Sequence, residues 1–349
     1  MKDVVFFLHR VYPDGKKKRD DISLDSFVKA LKLIKSRFKV VPLQALFEEK
    51  SKERRAAITF DDGYTDNFVY AYPVLKKMKI PAHLFLSSSR IRKSGVRKTL
   101  FDYWNGNASF SELCQPVSMY FAHEDFIKNG SSEEFLSWEE LEKMKDVFSY
   151  GAHGVNHFSY PYSSEIKDFF SGEKVPWQLY LYHNPPFVGQ PIFPTRSALD
   201  VKRFLPSKEL LDFCKNFKKE GNWKESLRSE IEKRGINLGE FETEENARVR
   251  IRDEMLKSKR DIESNLGIKV NTFAWPFGHY SEFSKPIAAE VFDYVFTIKK
   301  GFITESSDPK ELPRVSIGKD LFTLIGRLIT FSTDLGFKVY RTFKRGKVL

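Results

Sequence analysis

The sequence predicts an α/β fold built from parallel βαβ units. Short apolar runs typical of buried strands alternate with segments in which apolar residues recur at helical spacing. The 349 residues suffice for a sizeable core in one large domain or two ordinary ones. Hydrophobic residues make up 41% of the chain and charged residues 30%, which is the composition of a soluble globular protein. No apolar run reaches the roughly 18 residues that a membrane-spanning helix needs.

The first half of the chain carries the clearest alternation. Ser23 is the expected N-cap of its first helix, and Ser137 with Glu140 forms the expected capping box of a later one. The predicted strands are residues 4–9, 56–60, 82–86 and 148–152, and the predicted helices are 24–34, 67–78 and a segment starting at Trp138.

Residues from about 160 to 245 break this rhythm with many prolines and aromatics, and they are too many for a plain loop. We interpret them as an insertion on the active-site side, with helices near 207–218 and 223–233. The alternation then returns with a helix at 246–266 closed by Gly267. Strands are predicted at 272–275, 294–298 and 314–317, a helix at 281–290, and a basic amphipathic tail at about 319–349. We expect one domain over residues 1–349.

The net charge of +11 has two interpretations, a basic surface or an anionic partner. The anionic partners that we consider are a membrane surface and a nucleotide- or lipid-phosphate-linked sugar; no nucleic-acid motif is visible. The tail is either a solvated end or a docking segment for an anionic leaflet, worth about 1 kcal/mol per basic residue near the surface. Its basic residues are Lys338, Arg341, Lys344, Arg345 and Lys347.

The compartment is predicted from the N-terminal residues and the cysteines. The start of the chain lacks the pattern of a signal peptide. Cys114 and Cys214 have no nearby cysteine and indicate two buried thiols in a reducing compartment. We therefore expect a cytoplasmic protein, with peripheral contact at the inner face of the membrane as a further expectation.

Three motifs stand at the ends of predicted strands, where parallel α/β folds gather catalytic groups. The first is Asp61-Asp62-Gly63 after a buried strand; two acids there could be helix caps, but their like charges repel. The second is the pair His153 and His157, which at spacing i, i+4 would share a helix face and could chelate one metal, or be unrelated. The third is the turn Trp275-Pro276-Phe277-Gly278, which alone is a weak signal.

In this order and context, the three motifs resemble those of the polysaccharide deacetylase family, the NodB-homology enzymes of carbohydrate esterase family 4. The resemblance covers roughly residues 4–317 apart from the insertion. It implies a distorted (β/α) barrel and a divalent metal, in first place Zn²⁺, with Co²⁺ or Ni²⁺ as alternatives. It also implies roles for individual residues: Asp62, His153 and His157 as metal ligands, Asp61 as general base, and Trp275, Pro276, Phe277 and Gly278 as the substrate and oxyanion turn.

The chain also departs from the family pattern. No histidine follows His279, so the late histidine that many members use as general acid is missing. The opening Phe7-Leu8-His9-Arg10-Val11 resembles the Tyr-His-Arg-Val strand of one subgroup, which implies His9 as the acid; a structural histidine is the alternative. Arg314 is a candidate brace for Asp61, and Arg196 a candidate for meeting a phosphate or carboxylate over the cleft, although either could be a surface arginine.

The leading hypothesis is a metal-dependent hydrolase that removes an N-acetyl group from a sugar. We expect a cytoplasmic nucleotide- or lipid-linked precursor of surface polysaccharide such as lipopolysaccharide, O-antigen or capsule. The alternatives are a catalytically inactive glycan-binding homologue and an O-deacetylase or deformylase.

Overall fold

The computed structural model describes residues 2–13, 22–318 and 320–332. The basic residues expected in the tail lie outside this range, although its first helix lies within it. The strands are β1 Val4–Leu8, β2 Val11–Tyr12, β3 Ile22–Ser23, β4 Lys39–Val40, β5 Arg55–Asp62, β6 Ala82–Leu86, β7 Phe148–Ala152, β8 Ser159–Pro161, β9 Asp168–Phe169, β10 Pro191–Ile192, β11 Thr195–Ser197, β12 Phe204–Pro206, β13 Gly239–Phe241, β14 Thr272–Ala274, β15 Tyr294–Phe296 and β16 Val315–Ser316.

The α-helices lie between these strands and after the last of them. They are α1 Leu24–Lys35, α2 Ala45–Glu48, α3 Tyr72–Met78, α4 Leu100–Trp104, α5 Met119–Asn129, α6 Trp138–Lys143, α7 Lys208–Asn216, α8 Trp223–Arg234, α9 Glu244–Leu266, α10 Lys285–Val291 and α11 Leu321–Ser332. No helix in the described ranges combines the length and the apolar character needed to cross a bilayer.

A curled parallel sheet forms the centre of the fold. Its strand order is β15-β14-β7-β6-β5-β1-β16, and β4 pairs with the start of β5. The two edges approach each other where the Thr297 N–H donates to the Leu312 carbonyl at 2.9 Å and the Arg314 N–H donates to the Lys299 carbonyl at 2.9 Å. Because the strands are parallel, their carboxyl ends all lie at one end of the curled sheet.

Side chains alternate between the two faces of the sheet, and both faces are buried. Val4 and Phe6 of β1 belong to the main apolar cluster, together with residues of the surrounding helices. Val5 belongs to the smaller cluster inside the curl, with Ala57 and Phe85. This two-sided burial explains why the strands are nearly continuous apolar runs in the sequence.

The interior of the curl is tightly filled around His83 and Gly151. His83 is a core histidine: it is 4% exposed, with Nδ1 2.8 Å from Ser149 Oγ and Nε2 3.0 Å from Thr272 Oγ1. A Cβ on Gly151 would lie 2.3 Å from the same Thr272 Oγ1. Only glycine therefore fits at this point of β7.

The segment between β7 and α9 forms small antiparallel pairs, β9 with β10, β8 with β11 and β12 with β13. Helices α7 and α8 lie where the sequence predicted them, and the segment has its own apolar cluster. That cluster comprises Ile166, Phe169, Phe193, Phe204, Leu210, Cys214, Leu227 and Ile231. Of the two expected buried thiols, Cys214 is buried and Cys114 only partly so, and both are free.

Two predicted helices differ from the observed ones, and in both a proline lies near the helix start. The segment predicted as one helix over 67–78 begins with a π-helical turn, Asn67–Ala71, and α3 follows it with Pro73 at its second position. The helix expected over 281–290 begins only at Lys285, directly before Pro286. Proline has no N–H to donate and is best tolerated in the first turn of a helix.

Candidate metal and catalytic site

The three sequence motifs meet at the carboxyl end of the sheet. Asp61 and Asp62 end β5, His153 follows β7, and the Trp275 turn follows β14. One ligand atom each from Asp62, His153 and His157 lies within 4.8 Å of the other two, and all three side chains are buried. The structure therefore brings together the three residues expected to hold a metal.

The Asp62 carboxylate lies between the two histidines. Its Oδ1 is 3.4 Å from His153 Nε2 and 3.3 Å from His157 Nε2. Neither contact has hydrogen-bond geometry, and within the described ranges this buried oxygen has no hydrogen-bond partner. A buried carboxylate oxygen without a partner is costly, and a cation between the three groups would compensate it. The donor set therefore fits a divalent metal with one carboxylate and two imidazole ligands.

The protonation states also suit a metal. His153 Nδ1 lies 2.7 Å from the Ala274 carbonyl, which can only accept, so Nδ1 is the donor and Nε2 is the nitrogen left to face a metal. Burial holds the pKa of His157 well below its ordinary value, so this imidazole is neutral. Burial alone would raise the pKa of Asp62, but the nearby His157 and His153 bring it well below its usual range. The pKa shifts of His157 and Asp62 thus favour the neutral imidazole and the ionised carboxylate that bind metal.

Backbone strain is concentrated at this site. Among the described residues, the non-glycine residues with positive φ are Asp62 (77°), His157 (52°), Phe277 (60°) and Lys79 (53°), and the last of these is the C-cap of α3. Such conformations cost about 1–3 kcal/mol each and persist where surrounding contacts enforce them. The spacing of the two histidines predicted that they share a helix face, but in the structure they do not. They belong to a loop that turns at Gly154 (φ 80°) because a left-handed residue interrupts helical geometry.

Arg314 forms a bidentate ion pair with Asp61. Its Nη1 donates to Oδ1 at 2.7 Å and its Nη2 to Oδ2 at 2.9 Å, and the arginine side chain is 1% exposed. Burial would raise the pKa of Asp61, but the charge of Arg314 and, to a lesser degree, those of His153 and His9 bring it below its ordinary value. Arg314 therefore lies where the sequence interpretation put it, and it keeps Asp61 ionised.

His9 lies across from Asp61 with part of its ring open to solvent. Its Nε2 is 4.0 Å from Asp61 Oδ2, which is beyond hydrogen-bond range, and its side chain is 32% exposed. Asn67 Nδ2 donates to the His9 carbonyl at 2.9 Å, and Asp66 Oδ1 accepts from the Val11 N–H at 2.9 Å. Asp66 and Asn67, which follow the Asp61-Asp62 motif in the sequence, thus hold the backbone around His9 next to that motif.

The third motif contributes one aromatic side chain to the site. The Phe277 ring lies 4.2 Å from the His157 ring and is partly exposed. Trp275 is 1% exposed and packs in the main apolar cluster rather than lining a cleft, and Pro276 is also buried. A Cβ on Gly278 would lie 2.4 Å from Ile298 Cγ1, so the turn requires glycine there.

Arg196 is not a free cation above the cleft. Its Nη2 lies 2.6 Å from Oδ2 of the buried Asp200. The neighbouring Ser197 N–H lies 3.3 Å from Nδ1 of His279, which follows the third motif. Arg196 is therefore close to this turn in the structure, but its charge is already balanced.

Sequence reasoning missed a polar segment that follows β6, Ser87–Arg90. Its residues contact the backbone of the loop that carries both histidines. Three serines and an arginine directly after an apolar strand were a visible signal, because polar residues at that end of a parallel strand face the site.

Comparison with known proteins finds a similarity to one family over part of the chain. Residues 48–172 match the model of the polysaccharide deacetylase family. A 44-residue segment is 50% identical to the putative polysaccharide deacetylase YxkH of Bacillus subtilis (strain 168). That segment is 13% of this chain and 16% of the relative. Residues 48–172 of the chain are thus similar to the polysaccharide deacetylase family. The resemblance found in the sequence is therefore confirmed.

Solved structures of similar fold include a deacetylase domain and a de-N-acetylase. The BpsB deacetylase domain of Bordetella bronchiseptica has a TM-score of 0.56 at 16% identity, covering 91% of this chain and 97% of that one. IcaB from Ammonifex degensii has a TM-score of 0.53 at 17% identity, covering 93% and 95%. The de-N-acetylase of Aggregatibacter actinomycetemcomitans has a TM-score of 0.56 at 15% identity, covering 94% and 99%. At these identities the likeness concerns the fold, and the predicted distorted (β/α) barrel is confirmed.

Proposed function

We propose that this protein is a metal-dependent hydrolase of the polysaccharide deacetylase family that removes an N-acetyl group from a sugar. The observation that carries the proposal is the cluster of Asp62, His153 and His157 directly beside the ion pair of Asp61 and Arg314. One set of side chains can hold a divalent cation, and the adjacent carboxylate is kept ionised without being one of the three ligands. Metal-assisted hydrolysis of an amide requires both of these, a bound cation and a separate general base.

Asp62, His153 and His157 would hold the metal, with Zn²⁺ as the first candidate and Co²⁺ or Ni²⁺ as alternatives. A bound divalent cation supplies Lewis acidity, which polarises an acyl oxygen and makes a water molecule easier to deprotonate. Three protein ligands would leave coordination positions open, as in catalytic rather than structural zinc sites.

Asp61 is the proposed general base. Arg314 keeps it ionised, so it can accept the proton of the attacking water. His9 is the proposed general acid: it follows β1, the strand next to β5, lies beside Asp61 and is partly open to solvent, so it can donate a proton to the leaving amine. The N–H of Phe277 is the proposed donor to the acyl oxygen as negative charge develops there.

The finer substrate assignment rests on charge. The chain has a net charge of +11, which favours an anionic substrate such as a nucleotide-linked or lipid-phosphate-linked sugar. We therefore propose a cytoplasmic precursor of surface polysaccharide as the substrate. The basic and aromatic sequence after α11 favours peripheral contact with an anionic membrane surface. Cosedimentation of the full chain with anionic but not neutral vesicles, weakening with added salt, would support the membrane contact.

The experiment that tests the function is a substrate panel. The metal-loaded protein is incubated with N-acetylated, O-acetylated and N-formylated sugars, free and phosphate-linked, and the released acid is measured. Release of acetate from N-acetylated sugars alone supports the proposal. Release from O-acetyl or formyl groups instead supports the O-deacetylase or deformylase alternative. Sugar binding without any release supports the inactive glycan-binding alternative.

A further inference from the structure

The loop that carries both histidine ligands is held by a second segment of the chain, residue by residue. Every carbonyl from His153 to His157 accepts a hydrogen bond. The His153 carbonyl accepts from Ser87 Oγ at 3.4 Å, the Gly154 carbonyl from Ser88 N at 3.2 Å, and the Val155 carbonyl from Ser89 N at 3.1 Å and Ser89 Oγ at 2.8 Å. The segment Ser87–Arg90 therefore acts as a template for the loop.

Arg90 completes this template at its most strained position. Its Nη2 donates to the carbonyls of Asn156 at 3.1 Å and His157 at 3.3 Å, and its Nε donates to the Asn156 carbonyl at 3.3 Å. Of the two histidines, His157 is the one in the left-handed conformation, and a non-glycine backbone does not favour the direction in which its carbonyl then points. The planar fork of a guanidinium fixes two successive carbonyls at once, which the point charge of a lysine does not.

The position of Arg90 is unusual for an arginine. Its side chain is 1% exposed, and its carbon Cζ lies 5.2 Å from the centre of the Phe135 ring. Within the described part of the chain, its hydrogen-bond partners are these two carbonyls and His123, not carboxylates. A buried cation whose hydrogen-bond partners include no carboxylate is costly to keep, which indicates that it has a task in the site.

Helix α9 holds the same loop from the other side. Glu254 Oε1 accepts from the Asn156 N–H at 3.3 Å, and Ser258 Oγ donates to the Gly154 carbonyl at 2.9 Å. The loop is thus held between an arginine that binds its carbonyls and a glutamate that binds its amides.

We infer that Arg90 is a positioning residue of the metal site: it holds His157 in its left-handed conformation and thereby sets the affinity for the metal. The inference rests on the metal site of the proposed function. Its physical basis is preorganisation. Without Arg90, the loop would relax in the free protein, and metal binding would have to restore the strained geometry at the expense of affinity.

The test compares Arg90→Met and Arg90→Lys with the wild type. The dissociation constant for Zn²⁺ is measured by competition with a chromophoric chelator, and the visible spectrum of the Co²⁺ form reports on ligand geometry. We expect Arg90→Met to weaken metal binding by about 10–100-fold and to change the Co²⁺ spectrum. The Zn²⁺ affinity of Arg90→Lys should lie between those of Arg90→Met and the wild type, because lysine keeps the positive charge but lacks the planar guanidinium.

A matched control separates positioning from general stability. Arg55 is also a buried arginine that donates to backbone carbonyls, at Ala45 and Glu49. Unlike Arg90 it also pairs with a carboxylate, Asp3, at 2.6 Å, and it lies at the start of β5, away from the site. Arg55→Met should lower the stability of the metal-free protein to urea and leave the metal dissociation constant within about twofold of wild type.

The outcomes are distinguishable. A folded Arg90→Met protein with wild-type affinity and Co²⁺ spectrum would overturn the inference while the metal site stands. If Arg90→Met does not fold, Ser89→Ala decides. This variant removes only the Ser89 hydroxyl, whose partners in the loop are the Val155 carbonyl at 2.8 Å and Asn156 Oδ1 at 3.0 Å, and we expect about threefold weaker binding. Unchanged affinity in Ser89→Ala and Arg90→Lys would then refute the inference. A wild-type protein that binds no divalent metal would refute the metal site and this inference with it.

Discussion

Removal of Arg314 should expose the cost of the buried Asp61 charge. In Arg314→Met, Asp61 loses both hydrogen bonds of its bidentate partner and remains 2% exposed. Breaking a buried ion pair by removing one partner costs about 3–5 kcal/mol, because the other charge is left uncompensated. We therefore expect the free energy of unfolding of the metal-free protein to fall by about this amount at neutral pH.

The pH dependence of this loss has a definite sign. In the wild type the pKa of Asp61 is lowered, so its ionised form contributes stability above the ordinary pKa, and this contribution is lost as the pH falls. In Arg314→Met the burial that raises this pKa is no longer opposed by the guanidinium, so the carboxyl takes up a proton at mildly acidic pH and the uncompensated charge disappears. The difference between wild type and variant should therefore shrink from about pH 7.5 to about pH 5.

The assay is urea unfolding in the presence of a metal chelator, at both pH values, for Arg314→Met, Asp61→Asn and the double variant. The loss in free energy of unfolding of the double variant should be smaller, by at least about 2 kcal/mol, than the sum of the losses of the two single variants. The reason is that the double variant leaves no unpaired charge. Arg252→Met is the control: this arginine is 59% exposed, and its loss should change stability by less than about 0.5 kcal/mol. A loss below about 1 kcal/mol in Arg314→Met, or one independent of pH, would refute the reasoning.

Three further predictions concern packing, titration and the proposed acid. Gly151→Ala should lower the free energy of unfolding by about 1–3 kcal/mol, because its Cβ would lie 2.3 Å from Thr272 Oγ1. Gly326→Ala in α11 should raise the free energy of unfolding by up to about 1 kcal/mol, because no atom lies within 4 Å of the new Cβ. Equal urea midpoints for the two variants would contradict this prediction. Burial lowers the pKa of His83 to about 3, so its neutral form contributes stability that is lost as the pH falls below about 6.5. Between about pH 7.5 and pH 5.5, the free energy of unfolding should therefore fall by about 1.4 kcal/mol less in His83→Asn than in the wild type. An equal fall in the two proteins would contradict this assignment. His9→Gln should lower kcat for deacetylation by about 10²–10⁴-fold without changing metal affinity, and unchanged kcat would exclude His9 as the acid.

The strands and most capped helices were predictable because their signals are local. The strands at 82–86 and 148–152 were predicted with their observed bounds. Ser23 and Ser137 cap helices as expected, and Gly267 ends α9 in the left-handed conformation. Each of these features depends on a residue and its immediate neighbours.

Helix α5 was missed although Ser118 and Gly130 cap it, because its sequence does not show a clear apolar face. Only Ala122, His123 and Phe126 of this helix are buried. A single histidine and a single phenylalanine do not reveal which side of a helix packs until its neighbours are known.

The candidate site was predictable in its parts but not in its supports. The proposed metal ligands and the proposed base Asp61 came from the family resemblance that the strand-end motifs carry, and Arg314 came from a predicted late strand. The contacts of Arg90 and Glu254 to the histidine loop join residues far apart in the sequence, 66 or more positions in the case of Arg90. The sequence separation between these residues and the loop follows no helical or strand periodicity. Only the folded structure therefore shows that they lie together.

The central claim is that Asp61 takes a proton beside a metal held by Asp62, His153 and His157. The most direct test is the rate of acetate release from an N-acetylated sugar by wild type and Asp61→Asn at equal measured metal occupancy. The account predicts that Asp61→Asn binds the metal with similar affinity and releases acetate about 10²–10⁴-fold more slowly. Equal rates at equal occupancy would contradict it.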